Sequence, residues 1–453
     1  MKFDPHLPQV PSVAELLEHP RVKAAVARLN RSTVAQRAAG FVEELRASLA
    51  RRTGIAELPS VPQLAERLAR RLLGEPPSHG PVINATGLVI GDAELAPPLA
   101  DAAVHAMMQV ASEYHAGEAP LRQLQAMERQ FCHLAGAEAA VFVNNVDAAI
   151  ALVVAATSGN GEALVLETPE AGALGFDWHW LAARGGAVVR RISTADGKPP
   201  GTSKDNLNAG AILQAAAAHQ SAEADMDRLS QMADARGACL VDVAPLAGLV
   251  DPAEFGYRAV ESIQSRLRRG ADVVVASGCG LLGGPACGVI VGARQYAKRA
   301  ASHPLASLVA LSSTTAAGLQ TTLAAYESSG LDVVAAGVPV WQLLSAPQAN
   351  LQQRAERLAA LIGACRGVAA AKAMEVHSPW LRSGMLTASG PSWVVAVHPG
   401  DSAGAAATLA RLRRGGYPII ARQVDDAVHL DLRSVFPRWD QSIVAAFESF
   451  QGG

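Results

Sequence analysis

The densest chemical signal in the chain is Ala276-Ser-Gly-Cys-Gly-Leu-Leu-Gly-Gly-Pro-Ala-Cys-Gly-Val-Ile-Val-Gly292. It contains Gly278-x-Gly280-x-x-Gly283 directly after an apolar run, the spacing with which a dinucleotide fold brings backbone close to a pyrophosphate. That chemistry needs a helix whose N-terminus faces the phosphates and an acid at the end of the next strand. Here Pro285 and then Cys287 to Val291 lead straight into another β-rich run. The segment therefore reads as a strand, a tight glycine turn and a returning strand, and the dinucleotide match as false. Cys279 sits inside the turn, where an exposed thiol near a helix dipole would be a nucleophile. The competing reading is a buried, inert cysteine, favoured because this residue type is among the most buried and no histidine adjoins it in sequence.

Two other places set polar side chains at the end of apolar runs: Asp242 in Cys239-Leu-Val-Asp-Val243, and Asn144-Asn145 after Val141-Phe-Val143. Their plainest role is to satisfy backbone amides in the turn that follows a strand. The five cysteines, 132, 239, 279, 287 and 365, form no C-x-x-C pair and are too scattered for a disulfide framework, so they are expected to be reduced thiols and no metal site is expected.

The elements that must position these residues follow from texture. Capping boxes at Ser12-Val-Ala-Glu15, Thr33-Val-Ala-Gln36 and Ser60-Val-Pro-Gln63 open three helices. Apolar residues at helical spacing continue two of them: Val34, Ala38, Phe41, Val42, Leu45 and Leu49, then Leu64, Leu68 and Leu72. The stretch Gly74-Glu-Pro-Pro-Ser-His-Gly-Pro81 cannot continue a helix and ends this small helical domain, residues 1–80. Beyond it, short β-rich apolar runs at 141–143, 163–166, 187–189, 239–243, 272–276 and 287–291 alternate with helical stretches. That is the pattern of strands buried on both faces of a mostly parallel sheet, a large α/β domain over residues 81–335. An Ala-rich helical region from about 305 to 363 bridges to a smaller C-terminal α/β domain, residues 336–453, with strands at 393–397, 418–420 and 428–432.

Composition bounds the function. The chain has 453 residues, half of them hydrophobic, and a formal net charge of −2, so a large core is easily buried and a protein coated with cations for nucleic acid is not indicated. The first 80 residues carry 12 Lys/Arg against 8 Asp/Glu, an excess of +4 that a solvated helix surface explains equally well. No run of about 18 apolar residues occurs and the first residues lack the pattern of a secretion signal, so the expected location is cytoplasmic, with no membrane contact.

The glycine segment resembles the stretch S-G-D-K-L-L-G-G-P-x-x-G-x-I-x-G of the bacterial selenocysteine synthase family, which converts seryl-tRNA(Sec) to selenocysteinyl-tRNA(Sec) using pyridoxal phosphate. Leu7-Pro, Ser12 to Leu17, Pro81-Val-Ile-Asn-Ala-Thr-Gly87, Glu113-Tyr114, Gly136-Ala-Glu138, Val143-Asn-Asn145, Leu240-Val-Asp242, Ser302-His-Pro-Leu305 and Leu430-Asp-Leu-Arg433 follow in the family's order. The resemblance covers close to the whole chain. It implies the pyridoxal-phosphate transferase fold type I, an aspartate aminotransferase-like large domain with a mostly parallel sheet, a small C-terminal α/β domain and an N-terminal helical domain that contributes to tRNA recognition. It implies a homo-oligomer. It also carries cofactor-binding roles onto Asp242, as partner of the pyridinium nitrogen, and onto Asn144, Asn145 and Ser277, with His115 as a candidate stacking residue.

The resemblance breaks where the chemistry is done. The family's Schiff-base lysine position is Gly280, and the aspartate before it is Cys279. An aldimine needs a primary amine, and glycine supplies none. None of the six lysines, at 2, 23, 198, 204, 298 and 372, belongs to the motif. The family's phosphate-directed arginine is absent from Gly91-Asp-Ala-Glu-Leu-Ala96, which has two acids instead, and Ala306 to Thr315 contains no cation. Three readings follow: a degenerate family member that binds a tRNA or an active paralogue, an active transferase using a lysine from elsewhere, or a structural assembly protein. For Asp242 the cofactor role and the turn role stand side by side.

Overall fold

The computed structural model describes residues 11–20, 22–23, 34, 36, 38–43, 45, 61, 64–65, 68–69, 81–91, 96–114, 119–167, 177–193, 209–215, 223–257, 260–327, 330–383, 386–400, 404–414 and 417–448. The chain divides into two compact units, Met1–Val82 and Ile83–Gly453.

In the first unit Ser12 caps helix α1 (Val13–Glu18), its hydroxyl accepting from the Glu15 amide at 3.2 Å, as the first capping box requires. Leu16, Val22, Val34, Ala38, Val42, Leu64, Ala65 and Leu68 bury together, the faces that the apolar spacing predicts. The caps expected at Thr33 and Ser60 lie outside the described residues. Of the cations in this segment, Lys23 is described: it is exposed and paired with Glu18 at 2.5 Å, while Arg21, Arg28 and Arg31 lie outside the described residues.

The second unit is built on two sheets. The larger has seven strands in the order β2-β8-β7-β6-β5-β3-β4: β2 (Ala139–Val143), β3 (Glu162–Glu167), β4 (Val188–Ser193), β5 (Ala209–Ala215), β6 (Cys239–Val243), β7 (Val273–Ser277) and β8 (Gly288–Gly292). Strands β3 to β7 pair in parallel, and β8 runs antiparallel to both of its neighbours. The central strands are buried at every position, which is why they read as unbroken apolar runs. Strand β5 is an addition to the expected set; its sequence Ala-Gly-Ala-Ile-Leu-Gln-Ala has a single β-branched residue and so little strand signal. Helices cover both faces: α2 (Asp101–Ser112), α3 (Ala119–Ala135), α4 (Val146–Ser158), α5 (Trp178–Arg184), α6 (Glu223–Asp234), α7 (Ile263–Arg268) and α8 (Arg294–Ser302). This mixed sheet sandwiched by helices is the α/β arrangement of fold type I.

The Ala-rich region is helical, as expected, from Leu305–Leu308 through Ser313–Tyr326, Leu331–Gly337 and Pro339–Leu344 to Gln348–Gly363. The smaller sheet has the order β1-β11-β12-β10-β9. Strands β10 (Leu386–Pro399), β11 (Ile419–Val424) and β12 (Ala427–Asp431) match the three expected runs to within one residue, and β9 (Val368–Ser383) adds a long antiparallel partner for β10. Strand β1 (Ile83–Ala85) pairs with β11, so residues 83–85 belong to the C-terminal sheet although they precede the larger sheet in sequence. Such a long-range pairing leaves no local trace.

Candidate functional site

In an open α/β sheet, ligands bind beyond the carboxyl ends of the parallel strands. At that edge the chain gathers Asn144 and Asn145 after β2, the glycine turn after β7, and Gly288 at the start of the antiparallel β8. Gly288 pairs with Val143 on one side and Ser277 on the other. Its hydrogen side chain matters, because a Cβ there would collide with the Asn145 carbonyl oxygen. The structure therefore brings Asn145 and Ser277 to either side of one glycine.

The turn itself is a one-turn 3-10 helix, Gly280–Leu282, between antiparallel β7 and β8, and no helix of the dinucleotide kind follows it. It is held from beneath. The Tyr326 hydroxyl donates to the Leu282 carbonyl at 2.8 Å, with the Leu281 carbonyl at 3.3 Å, and accepts from Trp341 Nε1 at 2.9 Å. All three groups are buried, and burial pushes the Tyr326 hydroxyl far above its ordinary range, so it stays a neutral donor. Gly280 has φ +68°, and no atom of the described residues lies within 4 Å of an ideal Cβ. The position where the resemblance places a lysine is a pinned turn with open space and no amine.

The other predicted residues are engaged locally. Asn145 is the N-cap of α4, its side chain accepting from the Ala148 amide at 2.7 Å, which is the turn-forming role. Asn144 is exposed, and its backbone amide donates to Val309 O at 2.9 Å. Ser277 Oγ accepts from the Cys279 amide at 3.3 Å and lies 3.0 Å from Cys279 Sγ. Cys279 is half-buried, neither freely exposed nor sunk in the core. The neighbouring Cys287 is buried, and desolvation, with a contribution from Cys279, pushes its thiol up to about 12, so it is an inert core residue. His115 and residues 92–95 lie outside the described residues.

Asp242 stands apart. It is level with Val274 of β7, three residues short of Ser277 and so roughly 10 Å down the strand. It is fully buried, and its Oδ2 accepts from Arg266 Nη1 of α7 at 2.8 Å, while Oδ1 has no hydrogen-bond partner among the described residues. No backbone amide of the following turn donates to it, so the turn-forming alternative is replaced by a buried ion pair. Arg266 is a site residue that the sequence reading does not reach. The available signal is its place three residues after the apolar Ile263 on a helix capped by Ser262, hence on the same buried face.

The residues present do not fit covalently held pyridoxal phosphate. One contact is compatible: the orphaned Asp242 Oδ1 would accept a ring N–H. The rest oppose it. Gly280 offers no amine; one amide that α4 would give a phosphate, that of Ala148, is taken by Asn145; and Asp147 adds an exposed carboxylate to that helix's first turn. Neither Ala276–Gly292 nor Ser302–Thr315 contains a Lys or Arg to offset a phosphate dianion, and His303 Nδ1 accepts from the Leu305 amide.

A second cluster lies at the end of β12. Asp431, fully buried, accepts from Ser378 Oγ and Ser392 Oγ, both at 2.5 Å, from Arg422 Nη2 at 3.2 Å and from the Arg433 amide at 3.1 Å. The buried Arg433 donates to the carbonyls of Leu343, Ala346 and Pro391. Away from both clusters, a groove of about 690 Å³ runs between helices 348–363 and 440–448, lined by Leu358, Leu361 and Val444 with Arg357 and Arg438. None of the predicted site residues lines it.

Among solved structures, D-glucosaminate-6-phosphate ammonia-lyase matches with a TM-score of 0.58 and 19% identity, over 87% of this chain and 98% of its own, a likeness of fold. The L-seryl-tRNA(Sec) selenium transferase of Moorella thermoacetica is 28% identical over 97% of this chain and 96% of its own length. That of Yersinia pseudotuberculosis serotype O:1b (strain IP 31758) is 29% identical over 96% and 97%. The family model for L-seryl-tRNA selenium transferase matches residues 82–169 and 217–436. With well over half of its length matched, the chain belongs to the L-seryl-tRNA selenium transferase family.

Proposed function

We propose that this chain is a family member that has lost pyridoxal-phosphate chemistry and works by binding, with tRNA or an active paralogue as partner. The observation that carries the reading is Gly280: a hydrogen side chain where the family's chemistry needs a nitrogen nucleophile. The three described lysines support it, because Lys23, Lys298 and Lys372 are all exposed, on the helical turn after α1, on α8 and on β9 respectively, and none belongs to the strand-end turn. The protein is proposed to act in the cytoplasm as a homo-oligomer.

Two measurements test this. Absorbance of the purified protein titrated with pyridoxal phosphate should show the free aldehyde alone, with no band that borohydride reduction removes from the protein fraction; a reducible protein-bound band defeats the proposal. Filter binding of seryl-tRNA over a salt series should show affinity that falls linearly in log–log form as counterions are added. Flat, weak binding at every salt concentration would leave the paralogue as the partner, to be sought by co-purification.

A further inference from the structure

The ion pair between β6 and α7 is where this chain departs furthest from the cofactor that its family implies. Asp242 and Arg266 expose 1% and 3% of their side chains, and the Oδ2–Nη1 distance is 2.8 Å. A carboxylate enclosed among apolar side chains stays ionised only if a cation is within reach. In the family reading a protonated ring nitrogen is that cation, present only while the cofactor is bound. Here the cation is a guanidinium of the same chain, which cannot diffuse away. Its position is fixed: Ser262 caps the six-residue helix, accepting from the Ser265 amide at 3.3 Å, and the Ile263 amide is tied to Gly248 O at 2.9 Å.

We infer that Arg266 is the resident counter-ion of Asp242, so that the position offered to a ligand's ring nitrogen is neutralised by the protein itself. The inference rests on the reading that covalent pyridoxal phosphate has been given up, and it extends that reading to non-covalent pyridinium ligands. A ring seeking the charge of Asp242 must first break the buried 2.8 Å contact with Arg266. The idle Oδ1 does not lessen that demand, because accepting one more hydrogen bond adds no second negative charge for a cation to use.

The test is thermal unfolding of the full chain, with two probes at matched ionic strength: methylguanidinium, and pyridoxine 5′-phosphate, which has the ring but no aldehyde. Wild type is expected to respond to neither. Arg266→Ala is expected to lose roughly 5–10 °C in Tm. Methylguanidinium should restore several degrees of it saturably, and Asp242→Ala/Arg266→Ala should lie above Arg266→Ala in Tm and ignore the probe. If Arg266→Ala does not accumulate as folded protein, Asp242→Ala replaces it, and the double variant should be the more stable of the two. The inference is overturned by an Arg266→Ala variant with wild-type Tm, by a double variant less stable than the single, or by a wild-type response to pyridoxine 5′-phosphate that Asp242→Asn abolishes. An aldimine on wild type would instead remove the functional reading and leave the coupling of the pair intact.

Discussion

Asp242 and Asp431 are both fully buried aspartates at the ends of apolar strands, yet their surroundings differ. Asp431 is held by four donors, from β9, β10, β11 and the second residue past β12, and a Cβ on Gly87 would collide with its carboxylate. Both of its oxygens are used, and Arg433 beside it is itself tied to backbone carbonyls. Asp242 has a single partner and an idle oxygen among the described residues. A polar network satisfied within the chain is a structural joint. A buried acceptor left idle keeps a hydrogen-bonding capacity that the surrounding side chains do not use. The difference separates a carboxylate whose oxygens are both occupied by the chain's own donors from one that keeps an acceptor open among the described residues.

Stability measurements put this difference to the test. Asp431→Ala should cost the most, about 4 kcal/mol in denaturant unfolding, since it orphans two serines, an arginine and an amide at once. Asp242→Ala should cost less, about 3 kcal/mol, because a single contact to the carboxylate is lost. The reverse order would dissolve the distinction between the two aspartates. Gly280→Ala should cost about 1.5 kcal/mol through its φ of +68° alone, as the space around a Cβ is open. A much larger loss would mean that the old lysine position has been filled. Asn145→Ala should cost about 1 kcal/mol, the ordinary value of a lost helix cap.

The smallest effect is one of pH. His429 on β12, beside the Asp431 cluster, has its proton affinity lowered below the usual 6.5 by burial first and then by Arg422. The unfolded chain therefore takes up a proton at higher pH than the folded one does, so this residue's contribution to stability is complete above about 6.5 and falls as pH drops below it. Tm should decline less between pH 7.5 and 5.5 in His429→Gln than in wild type; equal slopes would show that His429 is not the titrating group.

Much of the fold is legible in the sequence because the central strands announce themselves. Val273-Val-Val-Ala-Ser277 and Gly288-Val-Ile-Val-Gly292 are continuous apolar runs, since both strands lie inside the sheet with both faces buried. Strand β5 is not legible because alanine and glycine carry little β preference. Strand β9 hides for the opposite reason: its first half is an edge with mixed exposure, and Val368-Ala-Ala-Ala-Lys-Ala-Met374 reads as helix as easily as strand. At the site, the missing amine at Gly280 can be read directly, because absence of a side chain is a one-residue fact. The partner of Asp242 cannot, since 24 residues separate it from Arg266 and only the packing of α7 on the sheet joins them. The Asp431 joint is invisible for the same reason: its three side-chain donors come from three other strands that meet it only in the folded sheet.

If no amine of this chain anchors the cofactor, exposure to it should leave no site-specific covalent mark. Peptide mass spectrometry can look for that mark directly, on wild-type protein incubated with excess pyridoxal phosphate at neutral pH, reduced with borohydride and digested. The expected result is no stoichiometric phosphopyridoxyl adduct on any of the six lysines, with only trace labelling spread over exposed ones. A single lysine modified in near one-to-one ratio would contradict the loss of lysine-dependent chemistry.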